Sequence, residues 1–170
     1  MTTSPGVLDA ADPLAEFRDR FVIDDELVAY LDGNSLGRLP RATAGRLAAF
    51  VSEEWGGRLI RGWDGGWVDL PVTVGDELGA ALLGAAAGQS VIADSTSVNI
   101  FKLLHAAAAL RSDRDEIVID ATNFPTDRYL VESVASTRGL IVRWLEPDLV
   151  ESITAEVLGA ALSERTAVVV

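Results

Sequence analysis

The chain has no cysteine, one histidine and one lysine among its 170 residues. Without cysteine it can form no disulfide, no thiolate nucleophile and no Cys-ligated zinc site. A lone histidine, His105, gives little basis for a histidine-centred triad or a metal site, and its place in an alanine-rich stretch reads as structural. Basic residues are scarce too: 14 Lys and Arg stand against 26 Asp and Glu, for a net charge of −12. That balance lacks the cationic footprint that phosphate backbones and anionic bilayers attract, so neither nucleic acid nor a membrane is expected as a partner. No apolar run approaches the ~20 residues that cross a bilayer. The opening "MTTSPGVLDAADPLAEF" has neither the basic start nor the apolar stretch of a secretory leader, and the expected location is cytoplasmic.

What is present fits a globular α/β protein: 49% of residues are hydrophobic and 24% charged. "ADPLAEFRDRF" predicts a helix with Asp12 as N-cap and Pro13 at its first position. "LVAYLD" predicts a short strand, followed by the turn-rich "DGNSLGRLP". Pro40 opens a helix through "PRATAGRLAAFVSEEW", whereas "GGRLIRGWDGGWVDLP" reads as irregular and "VTVGDELGAALLGA" as helix. From Ser90 the pattern becomes regular. "SVIAD", "DEIVID", "LIVRWLE" and "TAVVV" predict strands, alternating with helices over "TSVNIFKLLHAAAAL", "PTDRYLVESVASTRG" and "LVESITAEVLGAAL". Continuously apolar strands separated by helices imply βαβ units and a parallel sheet covered on both faces. A last strand running to Val170 leads us to expect that the chain is truncated within a larger domain.

Ligands of open α/β sheets collect at the carboxyl ends of strands, where loops enter helix N-termini. Two such loops carry chemistry. In "DSTSVN", Ser95, Thr96 and Ser97 precede a helix that starts near Val98, whose free N–H groups and dipole suit a phosphate; plain N-capping by Ser or Thr is the alternative. In "NFPTD", Pro125 presets a helical start, Phe124 could stack on a flat heteroaromatic ring, and Thr126 and Asp127 fall in the first turn. The alternative there is a core Phe124 and an Asp127 that satisfies backbone N–H groups. Taken together, the two loops imply one flat, phosphorylated ligand lying across adjacent strand ends. Ser35, among the glycines of "DGNSLG", could contact a substrate or make a tight turn. Trp63 and Trp67 could line an aromatic pocket or anchor their loop. Lys102 reads as a solvated side chain, its stem laid along apolar surface.

"YLDGNSLGRLP", "WGGRLIRGW", "DSTSVNIFKLL" and "NFPTDRYLVES", in this order and spacing, resemble the amino-terminal part of the kynureninases. These are pyridoxal-phosphate enzymes of the aspartate-aminotransferase fold type, fold type I. The similarity runs from about Phe21 to Val170. It implies residues 1–70 as an N-terminal segment with substrate-side and dimer-contact loops, and 71–170 as an incomplete first part of the cofactor-binding large domain. By the same resemblance Thr96 and Ser97 match the phosphate-binding pair, and Phe124 matches the ring-stacking aromatic. Pro125, Thr126 and Asp127 complete the cofactor segment, Ser35 matches a substrate-side serine, and Trp63 faces the aryl end of the substrate.

The implied reaction is hydrolysis of L-kynurenine, or its 3-hydroxy form, to anthranilate (or 3-hydroxyanthranilate) and L-alanine, within tryptophan catabolism and NAD biosynthesis. A homodimer is implied as well. The family's Schiff-base lysine, its ring-nitrogen aspartate and its substrate-carboxylate arginine match no residue here, so no catalytic residue is assigned and the chain alone is expected to be inactive. Two other readings compete. One is another fold-type I enzyme, such as a cysteine desulfurase or class V aminotransferase, whose platform residue is commonly histidine. The other is a non-catalytic remnant that binds a phosphorylated ligand or a partner subunit.

Overall fold

The computed structural model describes residues 4–24, 29–148, 150 and 152–170. They group into two compact units that divide between Leu70 and Pro71.

Short helical turns make up the first unit. Helix α1 spans Pro5–Ala10, with proline at the position where a missing N–H costs nothing. Asp12 caps the next turn, its Oδ1 accepting the Leu14 amide at 2.8 Å, but a 3-10 helix at Ala15–Arg20 replaces the predicted α-helix. That turn buries no residue, so no packing rewards a longer helix. Of the predicted strand 27–32, residues 27 and 28 lie outside the described residues, and 29–32 form no strand. Phe21 instead makes an isolated antiparallel bridge with Pro40, and the Val22 amide donates to the Leu39 carbonyl at 2.9 Å. Helix α2, Arg41–Ala49, runs on into a π-helical turn over Phe50–Trp55. The glycine-rich stretch, expected to be irregular, is a chain of single turns: α3 at Gly56–Arg58, a 3-10 turn at Leu59–Gly62 and a π turn at Trp63–Trp67. Trp67 anchors it, with its ring 5.6 Å from that of Phe50 and its Nε1 donating to Glu54 at 3.4 Å.

Helix α4, Leu70–Leu83, leads into the second unit. Residues 90–92 lie against its Gly75 and Gly79, where a Cβ on Gly75 would collide with the Ser90 carbonyl oxygen. This corrects the predicted strand "SVIAD". The segment joins no sheet among the described residues, and its Ile92 amide donates to the Pro71 carbonyl at 3.0 Å. Apolar, β-branched character makes a segment fit for a sheet, yet only a neighbouring ladder makes it a strand.

The remaining elements follow the predicted alternation closely. Helix α5 is Thr96–Leu110, β1 Glu116–Asp120, α6 Pro125–Arg138, β2 Ile141–Leu145, α7 Ala155–Ala161 and β3 Thr166–Val169. Gly139, at φ 70°, ends α6 in the left-handed conformation that glycine adopts without strain. Helix α7 is shorter than predicted. Thr154 caps it by accepting the Val157 amide at 3.2 Å, and residues 149 and 151 lie outside the described residues.

The sheet order is β2-β1-β3, all parallel. Its central strand is buried on both faces, with Ile117, Val118 and Ile119 fully enclosed. Ile117 and Ile119 pack against Leu104 of α5 and Val131, Val134 and Ala135 of α6. Burying side chains of this kind stabilises the fold by about 1.5–3 kcal/mol each. Val118 points to the opposite face, towards Ile153 and Leu158. The two crossovers explain this split. The chain steps from β1 to β2 in one direction and returns past β1 to β3 in the other, so right-handed connections place α6 and α7 on opposite faces.

Candidate functional site

Two helices begin at the carboxyl end of this sheet. Helix α5 ends at Leu110, shortly before β1 begins at Glu116, so its C-terminus lies at the sheet's amino end and its start at the carboxyl end. Helix α6 begins at Pro125, just past the carboxyl end of β1 at Asp120. Both helices cover the same face and pack against one another. Arg138 Nε donates to His105 Nδ1 across them at 2.8 Å, and the His105 ring meets Phe101 edge-on at 4.6 Å. The lone histidine is therefore a structural link between helices. Neighbouring helices lie about 8–10 Å apart, and the starts of α5 and α6 are neighbours on one edge of the sheet.

At the first start, Ser95 has extended backbone and its Oγ accepts the Val98 amide at 3.4 Å. The N-capping expected as the alternative is thus present, at Ser95. The hydroxyls of Thr96 and Ser97 have no hydrogen-bond partner among the described residues, and both residues lie at the surface or half-buried. The turn ahead of the cap is held from within the helix: Asn99 Nδ2 donates to the Ala93 carbonyl at 2.9 Å, and Lys102 forms an ion pair with Asp94. Lys102 is solvated, as expected, and is also paired.

At the second start, the Asp120 carboxylate accepts the Thr122 amide at 2.7 Å and its hydroxyl at 2.9 Å, folding the strand end into a tight turn. Asn123 Oδ1 accepts the Phe124 amide at 2.7 Å. Phe124 then projects from the fold with 69% of its surface exposed, so it is not a core residue. The Asp127 amide donates to the Phe124 carbonyl at 3.0 Å, while its carboxylate caps no backbone N–H among the described residues. Both alternatives posed for this loop are thereby removed. A cavity of about 240 Å³ borders Asp120 and Asn123 on the other face of the sheet, lined also by Val118, Ile153, Leu158 and Val170 between β1 and β3. Open α/β sheets bind ligands at such points.

In the first unit Ser35 donates its hydroxyl to the Asp32 carboxylate at 2.7 Å within a turn, and the Tyr30 hydroxyl donates to the Leu36 carbonyl at 2.6 Å. Trp63 is 57% exposed, in contrast to the anchored Trp67. No cluster of residues that could hold a metal occurs among the described residues, and no helix of theirs is long and apolar enough to cross a membrane.

No family model matches the chain. Curated relatives do. The chain is 43% identical over 169 residues to a kynureninase of Pseudomonas fluorescens, covering 95% of the chain. It is 49% identical over 139 residues to a kynureninase of Deinococcus radiodurans, covering 78%. To a kynureninase of Burkholderia pseudomallei it is 40% identical over 173 residues, covering 94%. The chain belongs to the kynureninase family. It spans 38%, 33% and 41% of the length of these three kynureninases, and corresponds to an amino-terminal portion of such a protein. Reasoning from kynureninase motifs missed the partners that shape the two loops. Asp94 and Asn99 lie inside the quoted "DSTSVN" and Asp120 closes the strand before "NFPTD", yet none is assigned a role, because residue type alone does not show which backbone groups and charges they reach.

Proposed function

We propose that these residues form the anion-and-ring-binding part of a pyridoxal-phosphate site in a fold type I kynureninase. The whole protein would hydrolyse L-kynurenine or its 3-hydroxy form to L-alanine and the corresponding anthranilate. One observation carries the reading: an exposed phenyl ring and two unpartnered hydroxyls start neighbouring helices on the same sheet edge.

The donor set suits the cofactor. A phosphate dianion calls for several donors and positive potential. Thr96, Ser97 and the free N–H groups at the start of α5 supply both, with no carboxylate or carbonyl already occupying those two hydroxyls. A flat pyridine ring calls for a face to lie on, and Phe124 presents one, held by Asn123 before it and Pro125 after it. Thr126 and Asp127, on the first turn, would place a hydroxyl and a carboxylate at the ring's polar edge, where they can accept from a donor there. Bound, the cofactor would supply an electron sink for carbanion chemistry at the substrate's Cα. Ser35 and Trp63 would serve the substrate side. The Ser35 hydroxyl, while donating a hydrogen bond to Asp32, retains lone pairs for a substrate donor, and the exposed indole of Trp63 offers a surface for an aryl group. A cytoplasmic homodimer is part of the same proposal.

The test uses the full-length protein supplied with pyridoxal phosphate. The expected result is a visible absorbance band from bound cofactor and release of fluorescent anthranilate from kynurenine. Well-folded protein that shows neither would end the proposal.

A further inference from the structure

We propose that Lys102 is a positioning residue for the anion held at the start of α5. Its ammonium cancels the Asp94 carboxylate and, together with Asn99, ties down the turn that enters the helix. This rests on the cofactor reading above and goes beyond it, to a residue that does not touch the ligand.

Four observations converge. Lys102 is the only lysine in the chain. It lies three residues after Asn99, so both project from one face of α5, and both reach back to consecutive residues: Asn99 Nδ2 to the Ala93 carbonyl at 2.9 Å, Lys102 to the Asp94 carboxylate. Asp94 holds φ 49°, a left-handed conformation that few side chains adopt, so the turn needs holding. Finally, the side chains of the ion pair are 62% and 38% exposed, and a pair so accessible contributes little to folding. The pairing matters where a second charge is placed nearby.

Asp94 stands two residues before Thr96, hence within about 8 Å of it along the backbone. Alone, its carboxylate would repel a phosphate dianion bound by Thr96 and Ser97. Paired, it contributes almost no net charge, and the positive end of α5 acts on the anion unopposed. At that separation an uncompensated carboxylate weakens dianion binding by about three- to tenfold in a largely solvated site.

The experiment uses full-length protein and measures dissociation constants for pyridoxal phosphate, and for inorganic phosphate as a competitor. Lys102→Met should weaken both ligands about three- to tenfold, with the loss shrinking as salt is raised. Asp94→Asn, which keeps a residue tolerant of the left-handed turn, should bring the Lys102→Met protein back to within about twofold of the parent, because it removes the exposed negative charge. Asp94→Asn alone should tighten binding, and Lys102→Arg should leave it unchanged. A merely structural Lys102 would give two losses that add, without rescue. Unchanged affinity in Lys102→Met, or no recovery in the double variant, overturns the inference while leaving the cofactor reading intact. Should Lys102→Met fail to fold, looser binding by Asp94→Asn alone overturns it equally. A parent protein that binds no pyridoxal phosphate overturns both.

Discussion

Phe124 shows how much one side chain can reveal when its surroundings do not need it. A phenyl ring left 69% exposed forgoes the burial that normally justifies an aromatic, although Pro125 and Asn123 fix its backbone firmly. The proposed ring contact accounts for that exposure. In full-length protein, Phe124→Ala should weaken pyridoxal-phosphate binding by about 1 kcal/mol, roughly fivefold, while the unfolding midpoint of the cofactor-free protein stays within error. Equal affinity in a titration would remove the stacking role. Trp63 and Trp67 make the same point in reverse. Two tryptophans four residues apart looked alike in sequence, yet Trp67 packs on Phe50 and hydrogen-bonds Glu54, whereas Trp63 stays exposed.

Among the elements, β1 depends on how its amino end is tied. Arg165, just ahead of β3, donates to both oxygens of Asp115 at 2.8 and 2.7 Å, fastening the start of β1 to that of β3. The guanidinium holds the Asp115 carboxyl below its ordinary value of 3.8. The folded state therefore binds a proton at Asp115 less readily than the unfolded chain does. The pair's contribution is present in full above about pH 4 and is lost as pH falls through the lowered value. Urea midpoints of the parent and of Asp115→Asn should differ by a small amount from pH 7 to about pH 5, and converge as pH falls below the ordinary carboxylate range. A difference that is constant across that range would show that the carboxylate's charge is not what matters. "SVIAD" forms no strand for want of a partner ladder. Its residues suit a sheet, but its backbone amide goes to Pro71 and its surface to the glycines of α4.

For the whole molecule, the net charge of −12 keeps a protein soluble without opposing a specific apolar interface. The proposed homodimer makes a direct prediction. Full-length protein examined by light scattering at micromolar concentration should have twice the mass of one chain, in the presence and absence of 0.5 M salt, if its interface is mainly apolar. A monomer at both salt levels would remove the dimer from the proposal. The parallel sheet, the alternation of α5 to β3 and both loaded loops were legible from residue types alone, because periodicity and turn residues act over a few positions. The helical turns of the glycine-rich stretch were not legible, since glycine fits many conformations and packing around Trp67 chose among them.

By itself the sequence determined what depends on local chemistry: the hydroxyl cap of α5, the proline start of α6, the buried β1, the stop at Gly139 and the family to which the chain belongs. Only the tertiary structure decided that the starts of α5 and α6 share one edge and one face of the sheet, because crossover direction depends on strand order, not on any single segment. It likewise decided that Asp94 and Lys102 are partners. Eight residues separate them, and the left-handed turn at Asp94 brings the two charges together.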